Sequence, residues 1–157
     1  MRPSIIPNLI SSALKNSNMG NSDIAIFEVG PQYADASAEG QQVIAAGIRT
    51  GQTAARHWSN VSRSVDVFDV KGDVVALLEV LGVPVANLQT TVDAPNWYHP
   101  GRSGVLRLGP NALAYFGEIH PTVLRAMSVD YPIVAFEVFL NNLHSPRSKG
   151  PNRALLK

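Results

Sequence analysis

Two His-Pro dipeptides, His99-Pro100 and His120-Pro121, stand 21 residues apart, with Arg102, Ser103 and Glu118 between them. These residue types bind metals, move protons and hold anions. Zinc would need three or four ligands at fixed geometry, and His99, His120 and Glu118 carry no tight ligand spacing. A histidine before proline more often caps a turn than ligates. Ser103 could be a nucleophile beside His99 or His120, but no Gly-x-Ser-x-Gly elbow surrounds it. Asp69-Val70-Lys71-Gly72 offers a lysine at a helix start, yet neither glycine-rich phosphate loop is present. There the plainer reading is a solvated Lys71 and a Gly72 that lets the helix pack closely. Glu28 could pair with Glu118 or Glu137. For a strand glutamate between apolar neighbours, as Glu28 and Glu137 are, an arginine partner is the commoner arrangement, and Arg49 and Arg102 are available. Arg49, His99, Arg102, Glu118 and His120 are therefore candidate interface or structural residues, and no residue is assigned to catalysis, cofactor or metal.

The elements that position them follow from periodicity and punctuation. Ser4 to Lys15 reads as a helix with Ile5, Ile6, Leu9, Ile10, Ala13 and Leu14 on one stripe, Ser4 as cap and Pro7 in the first turn. Ile24 to Val29 reads as a strand closed by Gly30-Pro31, and Gln42 to Thr50 as its antiparallel partner. Trp58 anchors a stretch without clear period. Ser64 to Phe68 reads as a short strand. Asp69 then caps a helix to Leu81, with Val70, Val74, Leu77, Leu78 and Leu81 inward, stopped by Gly82 and Pro84. Leu88 to Val92 is a weak strand. Gly109-Pro110-Asn111 turns a hairpin of Val105 to Leu108 and Ala112 to Phe116, with His99-Pro100-Gly101 leading in. Pro121 opens a short helix, Thr122 to Met127, with His120 as its cap. Ile133 to Leu140, apolar on both faces apart from Glu137, reads as a central strand. The elements do not alternate strictly as βαβ, so the fold class is α+β: an antiparallel sheet with helices packed on it.

The 157 residues suffice for one domain with a core, and 45% are hydrophobic against 16% charged. This balance excludes disorder and hints that another chain covers some apolar surface. A net charge of +1 gives no basic field to recruit nucleic acid, and the absence of cysteine excludes disulfides and thiolate zinc sites. No apolar run approaches the roughly 20 residues that span a bilayer, and Met1-Arg2-Pro3-Ser4 lacks signal-peptide architecture. A cytoplasmic protein is the default. Residues 1–143 read as one module and 144–157, with Arg147, Lys149, Arg153 and Lys157, as a polar, basic linker. An abrupt first helix and an apolar restart at Ala154-Leu155-Leu156 suggest a piece of a longer parent.

Six segments, taken in order, carry a resemblance. They are Met1-Arg2-Pro3-Ser4-Ile5-Ile6-Pro7-Asn8-Leu9-Ile10, Ile26-Phe27-Glu28-Val29-Gly30, Val67-Phe68-Asp69-Val70-Lys71-Gly72, His99-Pro100-Gly101-Arg102-Ser103, Gly117-Glu118-Ile119-His120-Pro121 and Ala135-Phe136-Glu137-Val138. Each resembles, in register, a segment of the β subunits of bacterial phenylalanyl-tRNA synthetases. The resemblance implies a catalytic-like module on a class II aminoacyl-tRNA synthetase sheet, with Met1 an internal methionine. Editing and tRNA-binding modules would lie upstream, and a ferredoxin-like anticodon-binding domain after Lys157. It implies an α-subunit partner in an (αβ)2 tetramer that attaches phenylalanine to tRNA(Phe) using ATP and Mg2+. Class II adenylation needs an arginine shortly before a strand glutamate, but Ile26 and Phe27 precede Glu28. The Gly-x-Gly-x-Glu-Arg turn is also missing, for Pro132 to Leu140 leads into Asn141-Asn142. The expected role is a scaffold without its own active site and without a cofactor of its own. An independent hydrolase or metal protein using His99, Glu118 and His120, and a standalone RNA-binding domain, are the alternatives.

Overall fold

A computed structural model describes residues 4–20, 23–33, 41–52 and 64–143. The expectations for Trp58, the 144–157 linker and Met1 to Pro3 lie outside the described residues. The elements are α1 (Ile6–Asn18), β1 (Ile24–Tyr33), β2 (Gln41–Thr50), α2 (Val67–Val80), β3 (Gln89–Thr91), β4 (Tyr98–Leu108), β5 (Asn111–Ile119), α3 (Pro121–Ala126) and β6 (Val134–Phe139). The six strands form one sheet in the order β1-β2-β6-β5-β4-β3, and every pairing is antiparallel. The α+β expectation therefore holds. The last strand sits at the centre, as its two apolar faces demand. No helix among the described residues is long and apolar enough to cross a membrane.

In α1, Ile6, Leu9, Ile10 and Ala13 are buried at helical spacing and pack on β1 and β2. Ser4 Oγ accepts the Ile6 amide at 3.2 Å, although Ile5 holds the N-cap position. The helix runs to Asn18, three residues beyond the expected Lys15. Gly20, at φ 95°, follows the end of the helix.

β1 does not stop at Gly30-Pro31 but continues to Tyr33. It is an edge strand, where a missing N–H disturbs no inner ladder. The expected strand at Ser64 to Phe68 does not form. Ser64 makes an isolated bridge to Gln52, and the chain is helical from Val67. Nor is Asp69 the cap of α2. Asp66 Oδ1 accepts the amides of Phe68 and Asp69 at 3.0 and 3.3 Å, and Asp69 Oδ2 accepts the Asp66 amide at 2.8 Å. This reciprocal capping box starts the helix three residues earlier. Val70, Val74 and Leu78 are buried against β5 and β6, whereas Leu81 lies past the helix end and is 43% exposed.

The β4–β5 hairpin is longer than its apolar runs suggest. A two-residue turn at Gly109-Pro110 joins Leu108 to Asn111, with Gly109 at φ 62°. His99-Pro100-Gly101 is not a lead-in but part of β4, in a bulge where the register shifts between Tyr98 and Ser103. Past β6 the chain turns through a short 3-10 segment, Leu140–Asn142. Asn141 Oδ1 accepts the Val43 amide, and Asn142 Nδ2 donates to the Ala112 carbonyl at 2.9 Å. The two asparagines thus tie the end of β6 across to β2 and β5.

Two cores result. α1, α3 and the segment through Ile133 cover one sheet face, centred on Ile44, Ile48, Tyr98, Ile119 and Ala135. α2 covers the other face, over Ala45, Leu106, Ala114, Val134 and Val138.

Candidate functional site

The hairpin brings the two histidines together. The His99 and His120 rings stand 6.4 Å apart, centre to centre, with planes tilted by 30°. Each side chain has local work. His99 Nδ1 accepts the Gly101 amide at 3.0 Å, and His120 Nδ1 accepts the Thr122 amide at 3.1 Å, capping α3. His120 donates its own amide to the Trp97 carbonyl at 2.8 Å. Ser103 Oγ donates to the His99 carbonyl at 2.7 Å, so the hydroxyl holds the bulge rather than facing an imidazole nitrogen. Gly117 lies opposite Ser103. A Cβ there would stand 2.3 Å from Ser103 Cβ and 2.7 Å from its Cα, so only glycine allows this approach.

Arg102 Nη1 meets Glu118 Oε1 at 3.2 Å. Arg102 is thus not the mate of Glu28 or Glu137. Arg49 is not either: its Nε and Nη2 grip Asp73 of α2 at 2.7 and 3.0 Å. The Asp73 hydrogen bond raises the guanidinium above its ordinary pKa, against a smaller opposing effect of burial.

Among the described residues Glu137 meets no arginine but takes two aromatic donors. Tyr98 Oη donates to Oε1 at 2.9 Å, and Trp97 Nε1 to the same oxygen at 3.3 Å. The side chain is 1% exposed. Burial pushes the carboxyl upward in pKa, and the two hydrogen bonds offset part of that rise. Burial, then the neighbouring carboxylate, lifts the Tyr98 phenol well above its ordinary value. The register pairs Glu28 with Ala46 and Ala46 with Glu137, which puts both glutamates on one face with Ala46 between them. Two strand spacings, roughly 10 Å, separate their backbones. Glu118 lies on β5, paired with Val134, three residues before Glu137 on β6.

The helix-start lysine is partly covered. Lys71 Nζ lies 5.8 Å from the centre of the Phe116 ring. Gly72 is exposed, and a Cβ there would meet nothing within 4 Å, so close packing does not explain it.

A recess of about 330 Å³ opens beside α2, between Phe27, Val29, Leu77 and Phe136, with the Arg49–Asp73 pair on its wall. Phe27 is 73% exposed and Val29 54%. Of the sequence-derived candidates only Arg49 borders this face, and its apolar residues were not among them. Its signal is in β1, where Ala25, Phe27 and Val29 alternate with Ile24 and Ile26. An edge strand apolar on both faces has two faces to cover.

Comparison with known proteins places these features in a family. A family model described as the phenylalanyl tRNA synthetase beta chain CLM domain matches residues 1–140. The phenylalanine–tRNA ligase beta subunit of Rhodospirillum rubrum is 48% identical over 149 residues, covering 95% of this chain and 19% of that protein. That of Paramagnetospirillum magneticum is 42% identical over 158 residues, covering 100% of this chain and 20% of its own length. The chain thus spans about a fifth of the curated relatives it matches. Among solved structures, pyrrolysyl-tRNA synthetase from Desulfitobacterium hafniense superposes with a TM-score of 0.65 at 17% identity, covering 89% of this chain and 47% of that one. A second structure of the same organism's pyrrolysyl synthetase gives a TM-score of 0.66 at 16% identity, covering 90% and 47%. The sheet is therefore of the class II synthetase kind, and the chain belongs to the phenylalanyl-tRNA synthetase beta chain family.

Proposed function

We propose that this chain is a non-catalytic scaffold and interface module of a phenylalanine–tRNA ligase. On this reading an α subunit carries out the ATP- and Mg2+-dependent attachment of phenylalanine to tRNA(Phe) in the cytoplasm, and the two kinds of subunit assemble as (αβ)2. The observation that carries it is the open apolar face beside α2, where Phe27 is 73% exposed over a recess floored by Phe136. An aromatic left that bare on a sheet marks a surface for another chain.

Two features support the absence of an active site of its own. Ile26 and Phe27 precede Glu28, where adenylation calls for an arginine to stabilise transferring phosphate charge. β6 ends in the Asn141-Asn142 tie rather than in a glycine-rich turn opening a helix. Arg49, Arg102, Glu118, His99 and His120 serve this module as structural or interface residues.

Two measurements test the reading. Copurification with a phenylalanyl-tRNA synthetase α subunit is expected, and Phe27→Asp is expected to weaken it at least tenfold. ATP–pyrophosphate exchange with phenylalanine is expected to be absent from this chain alone. Exchange by the purified chain, or α-subunit binding indifferent to Phe27→Asp, would overturn it.

A further inference from the structure

We propose that His99, His120 and Arg102 form a phosphate-binding site at the open end of the β4–β5 hairpin, and that the phosphate it takes is a backbone phosphodiester of RNA. The choice of RNA as the source rests on the ligase reading above; the site itself rests on hydrogen-bond chemistry.

A neutral imidazole has one N–H and one lone pair. In both rings Nδ1 spends its lone pair on a backbone amide, that of Gly101 for His99 and that of Thr122 for His120. The ring proton must then sit on Nε2. No hydrogen bond among the described residues uses either Nε2. The cluster therefore presents two N–H donors and no free ring lone pair. That is the wrong chemistry for a metal, which needs the lone pair, and the right chemistry for an oxyanion.

The donors are held in place before any ligand arrives. His120 is fixed through its amide to Trp97, and His99 through its carbonyl to Ser103. The glycine at 117 lets the two strands close up behind them. Rings with centres 6.4 Å apart are close enough for one tetrahedral oxyanion to reach both. Arg102 adds hydrogen-bond donors: its side chain is 61% exposed and meets Glu118 through Nη1, which leaves its other N–H groups for a ligand. The pair with Glu118 carries no net charge, so the acid does not repel an anion and the arginine contributes N–H groups rather than a positive field.

Asparagine separates the capping role from the binding role. Its side-chain oxygen can replace Nδ1 as acceptor and is a favoured cap, but it has nothing at the Nε2 position. In the 157-residue chain, the Gly101 and Thr122 amide resonances report on the two rings directly. Inorganic phosphate is expected to shift both saturably, and an RNA hairpin to shift them at lower concentration. His99→Asn with His120→Asn is expected to keep the dispersed amide spectrum and to weaken the hairpin at least tenfold. Arg102→Gln, which leaves both histidine caps unchanged in sequence, is expected to weaken it several-fold and serves if the double variant does not fold. The proposal is overturned by no saturable shift with phosphate, by full RNA affinity in these variants, or by a polyglutamate peptide that binds more tightly than the hairpin. Zinc that shifts the same amides would overturn it too, since it would show ring lone pairs available. Association with the α subunit is read separately at Phe27, so failure here and failure of the ligase reading are distinct.

Discussion

Tyr98 gives its phenolic hydrogen to Glu137 Oε1 at 2.9 Å, across 39 residues of sequence and from β4 to β6, strands separated by β5. With Trp97 as second donor, this carboxylate ties the mouth of the hairpin to the middle of the sheet. Tyr98→Phe leaves the buried acid one donor short. The expected cost is about 1–3 kcal/mol of unfolding free energy, read from the midpoint of urea denaturation. A change within error would show that the hydroxyl contributes nothing.

The same carboxyl sets a pH dependence. Burial raises its pKa in the folded state above the ordinary 4.5. The native chain therefore binds this proton more tightly than the unfolded chain does. Its contribution is fully present below 4.5 and is lost as pH rises through the higher folded value. Glu137→Gln removes that slope. The difference in stability between the variant and the wild type is expected to grow in the variant's favour from pH 4 upward. Parallel curves across this range would show that the native carboxyl titrates normally.

Two glycines should respond in opposite directions to the same change. Gly117→Ala forces a methyl group to within 2.3 Å of Ser103 Cβ and must open the hairpin at the His99 bulge. The expected loss is about 1–3 kcal/mol. Gly72→Ala sits in the interior of α2 with open space around it and is expected to gain about 0.5–1 kcal/mol. Thermal melts of the two variants check both signs.

The start of α2 supplies a third comparison. Asp66→Ala removes the acceptor for two amides and is expected to cost about 1 kcal/mol. Asp69→Ala loses the reciprocal bond to the Asp66 amide and is expected to cost less. Equal effects, or a larger effect at Asp69, would contradict the assigned cap.

Arg49 and Asp73 make a two-pronged contact, but each side chain is 31% exposed. A double-mutant cycle is expected to yield a coupling of about 0.2–1 kcal/mol that shrinks in high salt. A larger, salt-insensitive coupling would mean that the pair is better shielded than its exposure implies.

Most of the architecture was readable because its signals are local. The helical stripe of α1 and a strand apolar on both faces at β6 each followed from the side-chain pattern alone. The errors came where two residues act at a distance. Pro31 looked like a strand end because nothing in the sequence says that β1 is an edge. Val65 and Val67 alternate like a strand, yet Asp66 and Asp69 cap one another. The bulge at His99 depends on Gly117, eighteen positions away. The candidate cluster was legible as composition, and the hairpin turn between its two halves made convergence plausible. Which nitrogen each histidine commits, and which acid each arginine holds, are decided by three-dimensional approach. The open face at Phe27 was overlooked because an exposed phenylalanine looks like any strand phenylalanine in one dimension.

Sheet order also governs how this polypeptide can emerge from a ribosome. The strands that flank the centre are made first, as two separate halves, and the piece that joins them is made last. Until residues 134–139 are synthesised, each half carries a raw inner margin of unpaired backbone. A nascent chain stalled before that point would be a ready substrate for chaperones or for self-association, and the final strand works as the keystone that shuts both margins at once.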